Sequence, residues 1–95
     1  MIRINSFFEL KDENLKEELH LIMDELVEKS SKESGCEGYD LFICRKSPCK
    51  YMIYECWQDD ATLSLHKTQE HFLRLVPLFK ALTKNGTHVE KYSID

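Results

Sequence analysis

Apolar and polar side chains alternate from the start of the chain. Ile2, Ile4, Ser6 and Phe8 fall on one parity and Arg3, Asn5, Phe7 and Glu9 on the other. A period of two over eight residues predicts a first strand. The period then changes. Leu15, Leu19, Ile22, Met23, Leu26 and Val27 recur at steps of three and four, the apolar stripe of an amphipathic helix. Asp12 is placed to cap that helix and Glu13 to sit in its positive first turn. Glu25/Lys29 and Glu28/Lys32 fall at i, i+4 on its exposed side, and Gly35 suits the left-handed residue that follows a helix end. Tyr39–Cys44 and Tyr51–Trp57 are rich in aromatic and β-branched residues and flank a turn at Ser47-Pro48. They predict an antiparallel pair. Asp59 or Asp60 should cap a short helix carrying Leu63 and Leu65. A longer one should follow from Gln69 through Phe72, Leu75, Val76, Phe79 and Leu82, kinked or restarted at Pro77. Asn85-Gly86 is expected to stop it, and Thr87–Ile94 to form the last strand.

The order βαββαβ is that of a ferredoxin-like α+β unit, with helices on one face of an antiparallel sheet. The middle strands are apolar or aromatic on both parities: Tyr51, Ile53 and Trp57 on one, Met52, Tyr54 and Cys56 on the other. A sheet apolar on both faces needs a second cover, and a twofold copy of the same sheet is the simplest one. The expectation is a homodimer.

Ninety-five residues predict one domain, 1–95, with no repeats or linkers. A chain this short buries only about 60–65 % of its unfolded surface, which also favours association. Thirteen Lys and Arg against 17 Asp and Glu give a net charge of −4 without a basic stripe. Nucleic-acid binding is therefore not expected. No apolar run is long enough to span a bilayer, and the first residues lack the sections of a signal peptide, so the expected location is the cytoplasm with no membrane partner. Cys36, Cys44, Cys49 and Cys56 form no CxxC pair, which predicts free thiols and no metal site, with Cys49 the most exposed. A phosphate-binding glycine loop, a GxSxG elbow and an HExxH pair are all absent.

Two histidines carry the candidate chemistry. His66 lies nine residues after Trp57, and a histidine there can deprotonate a phenol near neutral pH. As a helix-end residue it is expected to be at most partly buried. His71 would point about 140° away on an ideal helix, unless a break near Thr68 turns both rings into one cleft. Trp57 and Tyr54 take opposite sheet faces, one lining a helix-side pocket and the other a dimer face. Phe72 and the remaining aromatics would make an apolar cavity suited to a flat ligand. Asn5 sits mid-strand, where asparagine is disfavoured.

The run Gly35-Cys36-Glu37-Gly38-Tyr39, the strand Tyr54-Glu55-Cys56-Trp57 and the segment Leu65-His66-Lys67-Thr68-Gln69-Glu70-His71-Phe72 resemble the antibiotic-biosynthesis-monooxygenase family in order and spacing. The resemblance implies a dimeric α+β barrel and oxidation of a small phenolic or quinol-like substrate without a bound cofactor. It implies His66 as base or anion donor and Asn5 as an orienting amide in the pocket, with Trp57, Tyr54, His71 and Phe72 around the substrate. In the haem-degrading branch of this fold a Trp and a His stand where this chain has His66 and Val76, so haem turnover is not implied. An isomerase, or a non-catalytic dimer that binds a hydrophobic small molecule, is the alternative on the same scaffold.

Overall fold

The computed structural model describes residues 1–94. The first strand, β1 (Ile2–Leu10), turns Ile2, Ile4, Phe8 and Leu10 into the core, leaving Arg3, Asn5, Phe7 and Glu9 on the other face. Asp12 caps a single 3-10 turn at Glu13–Leu15, its carboxylate accepting from Asn14 N–H at 2.8 Å. The long helix α1 (Lys16–Ser31) follows and buries Leu19, Met23 and Leu26 completely. The expected pairs form on its outer side, Lys29–Glu25 at 2.7 Å and Lys32–Glu28 at 3.4 Å. Strands β2 (Cys36–Ile43) and β3 (Lys50–Trp57) form the antiparallel hairpin. Helices α2 (Asp60–His66) and α3 (Glu70–Lys80) lead into β4 (Thr83–Ser93).

The four strands form one antiparallel sheet in the order β2-β3-β1-β4. This is the expected ferredoxin-like α+β arrangement. All three helices lie on the face that presents Ile4, Phe8, Tyr39, Tyr51, Ile53 and Trp57. The opposite face carries Phe7, Phe42 and Tyr92, between 38 and 50 % exposed. No helix among the described residues is long and apolar enough to cross a membrane.

Three local expectations are corrected. Helix α3 runs through Pro77 to Lys80 without restarting, because burial of Leu75 and Phe79 holds its apolar stripe on the sheet across the missing donor. Asn85 and Gly86 do not end that helix. They have φ of 62° and 77° and bulge out of β4, so that Phe8 pairs with Thr87 while Glu9 pairs with Lys84. Cys44 is the exposed cysteine, whereas Cys49 packs partly against the core.

Candidate functional site

Behind the sheet, three segments converge: the exit from α1, the end of α2 and the start of α3. Gly35 fixes the first. Its φ of 85° is left-handed, and a Cβ there would lie 2.3 Å from Thr62 Cγ2, so no larger residue fits. Around that turn Cys36 N–H donates to Glu33 O at 3.1 Å and Gln58 N–H to Gly35 O at 2.8 Å, which fixes the backbone on either side of Gly35. Asp59 caps α2 in a reciprocal box with Thr62, its carboxylate accepting from Thr62 N–H at 2.8 Å. The helix stops after two turns at His66. Thr68 Oγ1 and Gln69 Nε2 then both donate to Leu65 O, closing a turn before α3 begins at Glu70.

That break is what brings the two histidines together. His66 Nδ1 lies 2.6 Å from Glu33 Oε2 and His71 Nε2 lies 2.7 Å from the same oxygen. A carboxylate oxygen accepts only, so both rings present N–H to it. The neutral His66 ring is then protonated at Nδ1 and bare at Nε2. His66 Nε2 is buried with no hydrogen-bond partner, 3.9 Å from Glu55 Oε1. Three aromatic rings enclose the imidazole, with centroids at 4.5 Å (Trp57), 5.0 Å (Phe72) and 5.6 Å (Tyr39). A cavity of about 220 Å³ opens between sheet and helices, lined by His66, Glu55, Tyr39, Phe72, Val76 and Phe79 among others. An apolar cavity of about 150 Å³ holds benzene, so this one has room for a substituted single ring.

The sequence pattern of the family described as antibiotic biosynthesis monooxygenase matches residues 1–78. The chain belongs to the antibiotic biosynthesis monooxygenase family. YcnE of Bacillus subtilis strain 168, whose name proposes a monooxygenase, is 30% identical over 82 residues, 86% of this chain and 85% of its own. A crystal structure of an antibiotic biosynthesis monooxygenase superposes with a TM-score of 0.92 at 32% identity, over 100% of this chain and 99% of that one. PA3566 of Pseudomonas aeruginosa follows at 0.84 and 29% identity, over 99% and 94%.

Against this family frame, the structure gathers four of the residues singled out in the sequence, His66, His71, Trp57 and Phe72, and leaves two outside. Asn5 and Tyr54 lie on the opposite face of the sheet from His66, paired with each other across β1 and β3. The Asn5 amide oxygen accepts from Arg3 Nε at 3.3 Å, and the Arg3 guanidinium stacks over the Tyr54 ring. Asn5 is therefore not beside His66, because the parity that buries Ile4 turns its neighbour outward. His66 is also corrected: it is 1 % exposed, not partly buried.

Two partners escaped the sequence reading. Glu55 shares Trp57's parity on β3 and accepts from its indole N–H at 2.9 Å. A carboxylate on the core parity of a strand is the signal that could have found it. Glu33 sits in a polar stretch and gave none. Burial pushes His66 below the ordinary histidine range, opposed by the Glu33 hydrogen bond. Burial likewise pushes the Glu55 carboxyl up, with the Trp57 indole and Lys67 pulling the other way.

Glu33, His66 and His71 offer three donor atoms within 4.8 Å of one another. Two ligands of one zinc ion stand more than about 3 Å apart. Here Glu33 Oε2 sits closer than that to both rings, so the groups satisfy one another as hydrogen-bond partners. A larger concavity, about 750 Å³, lies elsewhere, where Phe7, Phe42, Ile43 and Met52 meet the Asn85-Gly86 bulge. His66 and Glu55 lie outside it and line the smaller cavity instead.

Proposed function

We propose that this chain is a cofactor-independent monooxygenase of small phenols or quinols, acting as a homodimer in the cytoplasm. The observation that carries the reading is the bare Nε2 of His66, buried without a partner at an aromatic-lined cavity, with Nδ1 anchored to Glu33. A phenol bound there gives its hydroxyl proton to His66 Nε2. The imidazolium is steadied by Glu33, and the phenolate is left in a dry pocket where its electrons are available to dioxygen. One electron passes to dioxygen, and the resulting substrate radical and superoxide join as a ring peroxide. The proton held by His66 passes to the peroxide; the O–O bond then breaks as the ring C–H at the same carbon gives up its proton, the departing hydroxide takes that proton and leaves as water, and the ring is left as a quinone. Substrate and dioxygen thus become quinone and water with no other reductant.

Several features support the finer points. The cavity suits one substituted ring rather than a porphyrin, and His66 and Val76 replace the aromatic and histidine of haem-degrading relatives, so haem should not be turned over. Four free cysteines suit a reducing compartment. The aromatic open face of the sheet suits a second copy. Oxygen uptake with a panel of single-ring quinols tests the reading. Quinone formation matched to oxygen consumed, and lost in His66→Gln, is expected. Saturable binding of the same quinols without oxygen uptake would instead make the protein a binding module.

A further inference from the structure

The Glu55 carboxyl is the one acidic group on the core face of the sheet, paired in register with Ile4 on β1 and Tyr39 on β2. Its side chain is 12 % exposed and it lines the cavity. Its hydrogen bond is a single one, from the Trp57 indole to Oε1. Among the described residues no lysine or arginine lies within ion-pair distance of it, and the nearest basic nitrogen is His66 Nε2 at 3.9 Å. A buried carboxylate left without a cationic partner is costly, whereas the neutral acid is not. The separation of 3.9 Å is too long for a direct hydrogen bond, so the two groups stand side by side on the cavity wall without satisfying each other. A substrate oxygen about 2.8 Å from each would subtend close to a right angle and would need the wall to open slightly on binding, because His66 Nε2 is closed to solvent in this structure.

We propose that Glu55 is the second substrate-contacting residue of the cavity, its neutral carboxylic acid donating a hydrogen bond to the same substrate oxygen that gives its proton to His66. This rests on the reading of His66 as base. The substrate O–H bond breaks and the proton goes to His66 Nε2. The Glu55 proton stays on Glu55 and stabilises the oxyanion, which then lies between an imidazolium and a neutral donor. Burial, the largest influence, favours the protonated carboxyl and Glu33 adds to it, while the Trp57 indole and Lys67 oppose it. The geometry thereby narrows the substrate to a ring bearing a hydroxyl that must be donor first and acceptor afterwards. A ketone or a methyl ether lacks that sequence and should bind weakly.

Para-nitrophenol, whose phenolate absorbs in the visible, reads both residues at once. At a pH below its own ionisation, the native protein should bind it as the phenolate, and His66→Gln should abolish the band. Glu55→Gln keeps the acceptor for Trp57 and supplies an amide donor, so it should hold the phenolate within about threefold of the native affinity. Glu55→Leu should lose about ten- to a hundredfold, the range for a hydrogen bond to a charged group. Thermal denaturation of each variant checks that it is folded. If Glu55→Leu binds the phenolate as well as the native protein, Glu55 does not touch the substrate and the inference fails while His66 stands. If Glu55→Gln is as weak as Glu55→Leu, the residue acts as a carboxylate and the inference also fails. If the native protein forms no phenolate, the base reading falls and takes this one with it. Infrared spectra of the unliganded protein give a ligand-free check. A neutral carboxylic-acid stretch at neutral pH should be present in the native protein and missing in Glu55→Gln; its absence from the native protein would overturn the proposal.

Discussion

His66 is held by a carboxylate on one side and three aromatic rings on the other, which ties its chemistry to its packing. Removing it therefore acts twice. His66→Ala should lower turnover about 10²–10⁴-fold, the usual size of acid–base catalysis. It should also cost about 2–4 kcal/mol in chemical denaturation, because a cavity opens and Glu33 loses a partner. Trp57→Ala, with the indole fully buried, should cost about 3–5 kcal/mol. His66→Gln is the variant that separates chemistry from packing. His66 and Glu55 give opposite pH dependences. His66 is depressed from 6.5, so the unfolded chain takes its proton first, and the His66 contribution to stability is present above pH 6.5 and lost as pH falls. Glu55 is raised from 4.5, so its contribution is present below pH 4.5 and lost as pH rises. Melting curves between these limits should show His66→Gln gaining on the native protein toward acid and Glu55→Gln gaining toward neutral pH. Gains in the reverse directions would contradict the assignment. Asn5 marks what was legible at this scale. Its parity with Arg3, Phe7 and Glu9 is visible in the sequence and already excludes it from the buried face, yet family position drew it toward the pocket.

The elements themselves were readable because each has one dominant period. The α1 stripe at Leu19, Met23 and Leu26 and the inward set of β1 follow directly from it. Less legible was the α2–α3 junction, which rests on side chains closing onto Leu65 O, a local hydrogen-bond competition that periodicity does not report. Glu33 was not legible at all. Its role depends on a left-handed Gly35 and on Thr62 in a helix nearly thirty residues away. Gly35→Ala tests that dependence. It should destabilise by at least about 1–2 kcal/mol through the left-handed backbone, more with the Thr62 clash. The displaced Glu33 should also reduce activity beyond the loss of folded protein. Gly86→Ala serves as the control, since it meets no neighbour and should cost stability while leaving turnover per folded molecule unchanged.

The two faces of the sheet differ. One carries the cavity with His66 and Glu55 on its wall, and the other carries Phe7, Phe42 and Tyr92, exposed in the single chain. Phe42→Glu, far from His66, should shift the protein from dimer to monomer in light scattering; an unchanged mass would remove the open sheet face as the interface. The need for a second cover could be inferred from the double apolar parity of β3 alone, because period two exposes one of its sets whatever the helices do. Which cavity holds the chemistry could not be inferred so, since His66, His71 and Glu33 meet only once three separate segments are folded together.

With Glu33 Oε2 against its Nδ1, His66 is expected to carry its proton there and to keep Nε2 bare. Long-range proton–nitrogen correlation spectra of the histidine rings at neutral pH measure this directly. His66 should show a protonated Nδ1 and an unprotonated, pyridine-type Nε2, with that preference lost in Glu33→Gln. A His66 ring protonated at Nε2 in the native protein would contradict the account, because no base would then face the substrate.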